Sequence, residues 1–380
     1  MQTKLISVCA FLSMSLMFFS CGEKGAEWKG TIEEMDGIKV VINPNEPLYG
    51  ELIFDLEEDL SIGNEKDENY MFFRIRDIQI DKDGNFYVLE SGNVRVQKFD
   101  RDGNYVCTIG RKGQGPGELQ MPSQVIIDER EGTIGIKDGR KVVVYDKNGK
   151  YLDKDIVFEE SFYDLVLDSE GLLWAIRFDQ EGEDEAIAEL FKALVILNNQ
   201  GQLDKRVAKF PFDVYRERIE GGVLWLSSGF EYDLVFSSVD EQSMVYGYSK
   251  EYELDIINLG GNLQLKIKKD EPYRSFTSEE KGESKRVPLP EYKPYFFAVF
   301  TDSEGRIYAQ RNNARKIETV EKEFDVFSKD GYYLYKTVYQ HTPFVIKDGY
   351  YYTRIQYEHT GEVHVKRFKI KNWDQIKKGI

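Results

Sequence analysis

One phrase recurs along this chain and restricts its fold more than any other feature. It runs apolar residues, an Asp, two or three polar residues, a Gly, then an apolar-aromatic stretch. Its first occurrence is Ile80-Asp81-Lys82-Asp83-Gly84-Asn85-Phe86-Tyr87-Val88. Further copies are Ile127–Gly135 with one extra residue, Leu167–Trp174, Val239–Tyr246 with Ser243 in place of Gly, Thr301–Tyr308, and Ile346–Tyr352 without the leading Asp. A second phrase follows the first. It reads Phe99-Asp100-Arg101-Asp102-Gly103-Asn104-Tyr105, then Tyr145–Tyr151, Leu197–Gly201 and Phe327–Tyr333, with a looser form at Ile257–Leu263 and a remnant at Ile370–Asp374. Alternating β-branched and aromatic residues form half-buried strands, and Asp-x-x-Gly between them forms a tight hairpin in which Asp bonds the turn backbone and Gly takes the positive φ.

Two hairpins per unit make four antiparallel strands. The first strand position after the turn falls at 87, 135, 174, 246, 308 and 352. Four-stranded units at this spacing are propeller blades rather than solenoid coils. The expected architecture is therefore all-β, a six-bladed β-propeller over residues 37–380. After Val363–Ile370 the last blade has no clear outer strand, and Ile38–Ile42 is expected to supply it, sealing the ring and removing a sheet edge. The alternative is a seven-bladed ring in which 51–63 belongs to a degenerate extra unit.

The N-terminus carries a different signal. Lys4 precedes an apolar run, Leu5–Phe19, that is shorter than the about 20 residues a membrane span needs. Ser20-Cys21-Gly22 ends it, so residues 1–20 read as a secretory signal. A cysteine directly after the cut resembles the bacterial lipoprotein signal, which implies a lipid on Cys21 and a tether over 21–36. Phe18 and Phe19 stand where that pattern prefers Leu and a small residue. An ordinary cleaved signal with an incidental cysteine is the alternative. Beyond Cys9 and Cys21 only Cys107 is left, so no intrachain disulfide framework exists. Between Val106 and Thr108 it reads as a small buried apolar residue. The formal net charge of −16 disfavours nucleic acid and anionic lipid headgroups as partners.

The run Val96–Asn104 followed by Ile109-Gly110-Arg111-Lys112-Gly113-Gln114-Gly115-Pro116-Gly117-Glu118-Leu119 resembles an NHL repeat. The chain as a whole resembles the six-bladed β-propeller lipoproteins of Gram-negative envelopes, most strongly over 70–157 and less over 178–294. That resemblance implies an exported monomer, lipid-anchored at the outer membrane on its periplasmic side or at the cell surface. It implies no single activity. NHL-type lyases place histidines around a central metal, whereas only His341, His359 and His364 occur here, all in the last unit.

If each unit has strands A to D, the Asp turns share one face, and the B–C hairpins and D–A crossovers share the other. Insertions crowd that second face: Phe178–Ala193, Gln310–Glu323, and the crossovers 211–230 and 266–294. Loops on a rigid scaffold carry function, so a ligand is expected there. The last of these stretches, with its end, holds Tyr273, Phe276, Tyr292 and Tyr295 among Arg274, Lys281, Lys285 and Arg286. Four residues before the turn Asp of successive units stand Asp77, Gln124, Asp164, Phe236 and Ala298. With strand A lining the channel, Asp77 and Asp164 face it, and Arg76 and Arg95 lie near. The competing reading makes these residues staples between blades.

Other motifs weaken on inspection. Gly110–Gly117 lacks the Gly-Lys-Ser/Thr of a phosphate loop. Asp81-x-Asp83-x-Asn85 and Asp100-x-Asp102-x-Asn104 lack the Gly and Glu of a calcium loop. No metal, cofactor or nucleophile elbow is expected. The expected function is a non-catalytic scaffold that binds an envelope protein or a glycan on its inserted face. The alternative is a lyase or glycosidase working with channel carboxylates.

Overall fold

The recurring Asp has three roles in the computed structural model, which describes residues 27–283, 287–312 and 321–380. One oxygen of Asp168 accepts the amides of Glu170 and Leu172, both at 2.9 Å, while the other accepts the Trp174 indole N–H at 2.9 Å. Asp81 and Asp302 repeat the pattern with Tyr87 and Tyr308 as the aromatic donors. Gly84, Gly171 and Gly305 take φ of 83°, 88° and 75°, a region open to Gly at little cost. The aromatic residue after the turn is thus buried with its polar tip satisfied. Asp168→Ala is expected to cost about 2 to 3 kcal/mol, because a buried indole N–H and two turn amides lose their acceptor. Urea denaturation measures it, and Asp168→Asn, which keeps one acceptor oxygen, should cost less.

Six sheets result. Blade one comprises Ile75–Ile80, Phe86–Glu90, Arg95–Phe99 and Tyr105–Ile109. Blade two comprises Pro122–Asp128, Thr133–Asp138, Lys141–Asp146 and Ile156–Val157. Blade three comprises Phe162–Leu167, Leu173–Glu181, Glu189–Leu197 and Leu203–Pro211. Blade four follows as Leu234–Asp240, Ser243–Tyr248, Glu253–Asn258 and Leu263–Lys269, and blade five as Phe296–Thr301, Ile307–Arg311, Lys322–Phe327 and Tyr333–Tyr339. Val345–Lys347, Tyr350–Gln356 and Val363–Ile370 begin blade six.

The second strand of each blade buries both faces, with successive residues going to opposite sides. Phe86 and Val88 enter the core between blades six and one, whereas Tyr87 and Leu89 enter the core between one and two. Leu173 and Ala175 face blade two; Trp174 and Ile176 face blade four. One apolar cluster fills each of the six seams, including the seam that joins the last blade to the first. The ring is closed and six-bladed.

Closure corrects one expectation. The outer strand of blade six is Leu56–Ile62, antiparallel to Val363–Ile370, with Ile62 opposite Val365. Ile38–Asn43 instead adds a parallel strand to the outer edge of blade four, and Thr31–Met35 pairs outside it. The stretch read as part of a degenerate seventh unit is therefore the clasp. Glu51–Leu52 adds to blade five. Residues 28–35, expected to end the tether, are built into the fold. Trp28 packs edge-on against Tyr332 and donates to Asn43, which is buried and bonded to Gly331 and Tyr333. Residues 1–20, read from the sequence as a signal, and Cys21 lie outside the described residues, as do Lys285 and Arg286.

Two sequence motifs resolve locally. The glycine-rich crossover wraps the carboxylate of its own Glu118, which accepts Gly115 N–H at 2.8 Å and Arg111 Nε at 2.9 Å. A Cβ on Gly113 would strike that carboxylate. Cys107 is a free, half-buried thiol whose burial pushes its pKa up. No helix among the described residues is long and apolar enough to cross a membrane.

Candidate functional site

The inner strands share an irregularity at their starts. The ladder to the second strand slips between Ile75 and Asp77 in blade one, Pro122 and Gln124 in two, Tyr163 and Val166 in three, and Phe296 and Ala298 in five. The extra residues are Arg76, Ser123, Asp164 with Leu165, and Phe297. A bulge bends its strand and re-aims a side chain. Here bulges recur at the end of the channel where the inserted loops lie. Asp164 carries φ of 50°, a left-handed conformation that Asp tolerates better than most residues.

Channel residues divide into staples and lining. Asp77 accepts the amide of Val125 at 2.8 Å and Gln79 Nε2 at 3.1 Å, tying blade one to blade two. Burial raises its pKa, partly offset by those bonds. Gln124 repeats the device one blade on, accepting Leu165 N–H and donating to Leu165 C=O. Arg95 is also committed, donating to the carbonyls of Glu68 and Met71. Asp164 and Arg76 face open space.

Asp164 borders a cavity of about 550 Å³ between blades two to five, with Lys192, Asp233, Phe236 and Phe297 among its walls. Lys192 Nζ lies 2.6 Å from Asp233 and sits over the rings of Phe178 and Phe212, at 5.1 and 4.3 Å. Burial and the neighbouring Asp233 raise the pKa of Asp164, against the pull of Lys192 and Lys137. Tyr163, Phe178 and Phe212 form a run of edge-on and tilted rings at about 5 Å spacing. Tyr163 and Phe178 remain 46% and 38% exposed. Beyond Phe212 opens a larger cleft of about 770 Å³, bounded by Phe191, Tyr215, Tyr232, Lys250 and Leu289. Its far wall is a hairpin, Tyr215–Ile219 with Gly222–Leu226, formed by the crossover after blade three.

The aromatic crossover is a built structure. Tyr273 stacks on Tyr292 at 4.6 Å, and Phe276 is buried edge-on against Phe230. Tyr295 is buried and donates to Glu271 C=O, while Arg274 donates to the carbonyls of Asn312, Pro294 and Tyr295. Thr277 and Glu280 cap each other's amides at a short helix, Ser278–Glu283, and Glu280 pairs with Lys293 at 2.7 Å. Of the aromatic residues expected to bind there, only Tyr273 presents a largely exposed ring.

An ionic cluster anchors this crossover. Asp325 accepts Lys269 at 2.8 Å and Arg311 at 2.7 Å, and the hydroxyls of Tyr252 and Tyr333. Glu271 takes the other faces of Lys269 and Arg311 at 2.8 and 2.7 Å. Burial works against ionising Asp325 and Glu271, but the two cations hold both carboxyls below their ordinary values. Lys269 is itself held below its ordinary value, because it is buried and shares the pocket with Arg311.

The histidines do not converge. His364 meets Ser61 in the clasp, the carbonyl of His341 accepts Tyr351, and His359 lies exposed in a turn. Among the described residues no group of three or more His, Cys, Asp or Glu is placed to hold a metal. Asp81 and Asp100 spend their carboxylates on their own turns.

Comparison with known proteins agrees with the architecture. The model of a family described as "6-bladed beta-propeller" matches residues 65–211, blades one to three. No curated protein matches the sequence. A Bacteroides fragilis protein named for its expected export is similar at 11% identity and a TM-score of 0.51, covering 87% of this chain and 99% of its own. A member of the duf4221 family from Bacteroides vulgatus is 12% identical with a TM-score of 0.49, over 83% of this chain and 98% of its own. Virginiamycin B lyase from Staphylococcus aureus is 9% identical at 0.41, over 83% and 99%. At these identities the likeness shows the fold alone, and this chain is a six-bladed β-propeller whose first three blades match a family described by that architecture.

Proposed function

We propose that the protein is an exported, lipid-anchored binding protein, non-catalytic and monomeric, whose inserted face holds a glycan. The run of rings Tyr163–Phe178–Phe212, of which Tyr163 and Phe178 are exposed, carries this reading. Ligand sites combine aromatic walls with a few fixed polar groups. Here the rings suit the C–H face of a sugar, and Lys192, Asp233 and Asp164 stand beside them to bond its hydroxyls. The adjoining cleft gives room for further residues of a chain. Phe178→Ala is expected to weaken binding on a glycan array about tenfold or more, the order of one lost stacking contact with its desolvation. Because the ring is half exposed, the melting temperature should stay near that of the parent. An array that shows no binding to the parent chain, together with capture of an envelope protein, would overturn the glycan assignment.

One observation supports a second reading. The raised carboxyl of Asp164 next to Asp233 resembles a proton donor beside a base. Asp164→Asn separates the two, since a hydrolase or lyase would lose turnover and keep binding. Anchoring has its own test: Cys21→Ala is expected to release the protein from membranes, and retention would refute the lipid.

A further inference from the structure

A third, smaller pocket opens beside the channel mouth, at the seam of blades six and one. It measures about 350 Å³, and its walls are Arg74, Ile75, Arg76, Phe344 and Arg354. Three of five lining residues are arginines and none is acidic, in a chain with 67 acidic and 51 basic residues. Like charges gathered at one spot repel, and carboxylates are the commonest way to relieve this. The rule holds at Arg177, Arg306, Arg311 and Arg367, each of which contacts a carboxylate. At this pocket it does not. Among the described residues, the guanidinium groups of Arg74 and Arg76 make no hydrogen bond or ion pair. Arg354 spends one nitrogen on the Ile75 carbonyl, which fixes its fork at the pocket edge.

The backbone builds the cluster. Arg74 stands one residue before the first strand of blade one, Ile75–Ile80, and lines the pocket with Arg76. Arg76 is also the extra residue of the blade-one bulge, which turns it to the mouth. Two neighbouring acids are committed elsewhere: Asp77 to the Val125 amide, and Glu90 to the amides of Arg74, Gly92 and Asn93. Guanidinium is charged at any physiological pH, and its planar donors match the paired oxygens of carboxylate, sulfate or phosphate.

We propose that Arg74, Arg76 and Arg354 form an oxyanion subsite and, resting on the glycan reading above, that the glycan bound at this face carries an acidic group. A uronate carboxylate and a sulfate ester share the required chemistry.

Calorimetry on the full chain tests it, with inorganic sulfate, glucuronate and glucose as probes, followed by arrays of acidic and neutral glycans. Parent protein should bind sulfate and glucuronate but not glucose. Arg74→Ala/Arg76→Ala should lose about tenfold or more for both anions, in line with two charge-assisted bonds. Phe178→Ala should leave anion binding unchanged while weakening the acidic glycan. Anion binding that survives Arg74→Ala/Arg76→Ala, or is absent from the parent, overturns the subsite. If neutral glycans still bind in that case, the glycan reading stands without it. A parent that takes sulfate but binds acidic and neutral glycans equally upholds the oxyanion pocket and overturns its assignment to a glycan.

Discussion

Asp325→Ala is expected to cost about 3 to 5 kcal/mol of folding stability, the loss seen when one partner of a buried ion pair is removed. Its side chain and that of Lys269 are fully buried. Without it, Lys269 keeps only Glu271 as an ion-pair partner, Arg311 keeps Glu271 and a longer contact to Glu323 at 4.0 Å, and the hydroxyls of Tyr252 and Tyr333 lose their acceptor. Chemical denaturation measures the loss, and a change under about 1 kcal/mol would refute this account of the cluster. The same cluster sets a pH dependence. Asp325 and Glu271 are held below their ordinary values of 3.8 and 4.5, so the folded state favours their ionised forms. Their contribution is complete above those values and is lost as pH falls through the lower folded-state values. In Asp325→Ala the part of the acid limb due to Asp325 should vanish. Because Glu271 and Tyr295 link this cluster to the aromatic crossover, the variant should also loosen residues 271–295 in hydrogen exchange.

Starting the chain at Asn64 is expected to abolish cooperative folding. That cut removes the clasp and with it Ile62, and also Val40, Val41, Leu52 and Phe54, all buried. At about 1.5 to 3 kcal/mol for each large buried side chain, the loss is comparable with the whole stability of an ordinary domain. A chain starting at Pro44 keeps Leu56–Ile62 and should still melt in one transition, at a lower temperature. Had Ile38–Ile42 closed the ring, the second truncation would be as damaging as the first. Calorimetric melting of the two truncated chains decides between these outcomes.

Blades and hairpins were readable in the sequence because their determinants are local. The turn Asp, the Gly and the strand between them lie within nine residues of one another at Ile80–Val88. The clasp was hidden because an outer strand shows one face to water. Glu57, Glu58 and Asp59 dilute its apolar pattern, whereas Val40-Val41 looks like core. A signal was nonetheless present: Glu58 pairs with Lys366 and Asp59 with Arg367, so the acidic stretch complements the basic strand beside it. Of the channel residues expected from their place relative to the turn, Asp164 and Arg76 border cavities, whereas Asp77 staples blade one to blade two. Phe178 and Lys192 fall in the Phe178–Ala193 insertion and Phe212 in the crossover 211–230, but the sequence does not show which residues of an insertion meet. Tyr163 and Asp233 carry no signal of their own, since the site is assembled from separate strands and crossovers of blades three and four. Arg74 and Arg354 are far apart in sequence and meet only across the ring seam.

The path of residues 28–62 has a consequence for the order of events during synthesis. This belt crosses the outer edges of blades four, five and six in turn. It is made before all six blades, and the strands it joins, Leu263–Lys269, Tyr333–Tyr339 and Val363–Ile370, are made progressively later. Ile62 must wait for Val365, so the clasp end of the belt stays unpaired until nearly the whole chain has emerged. Closing so long a loop is slow. A nascent chain of this kind can build its middle blades early, yet it stays threadable at its leading end until its last strand appears.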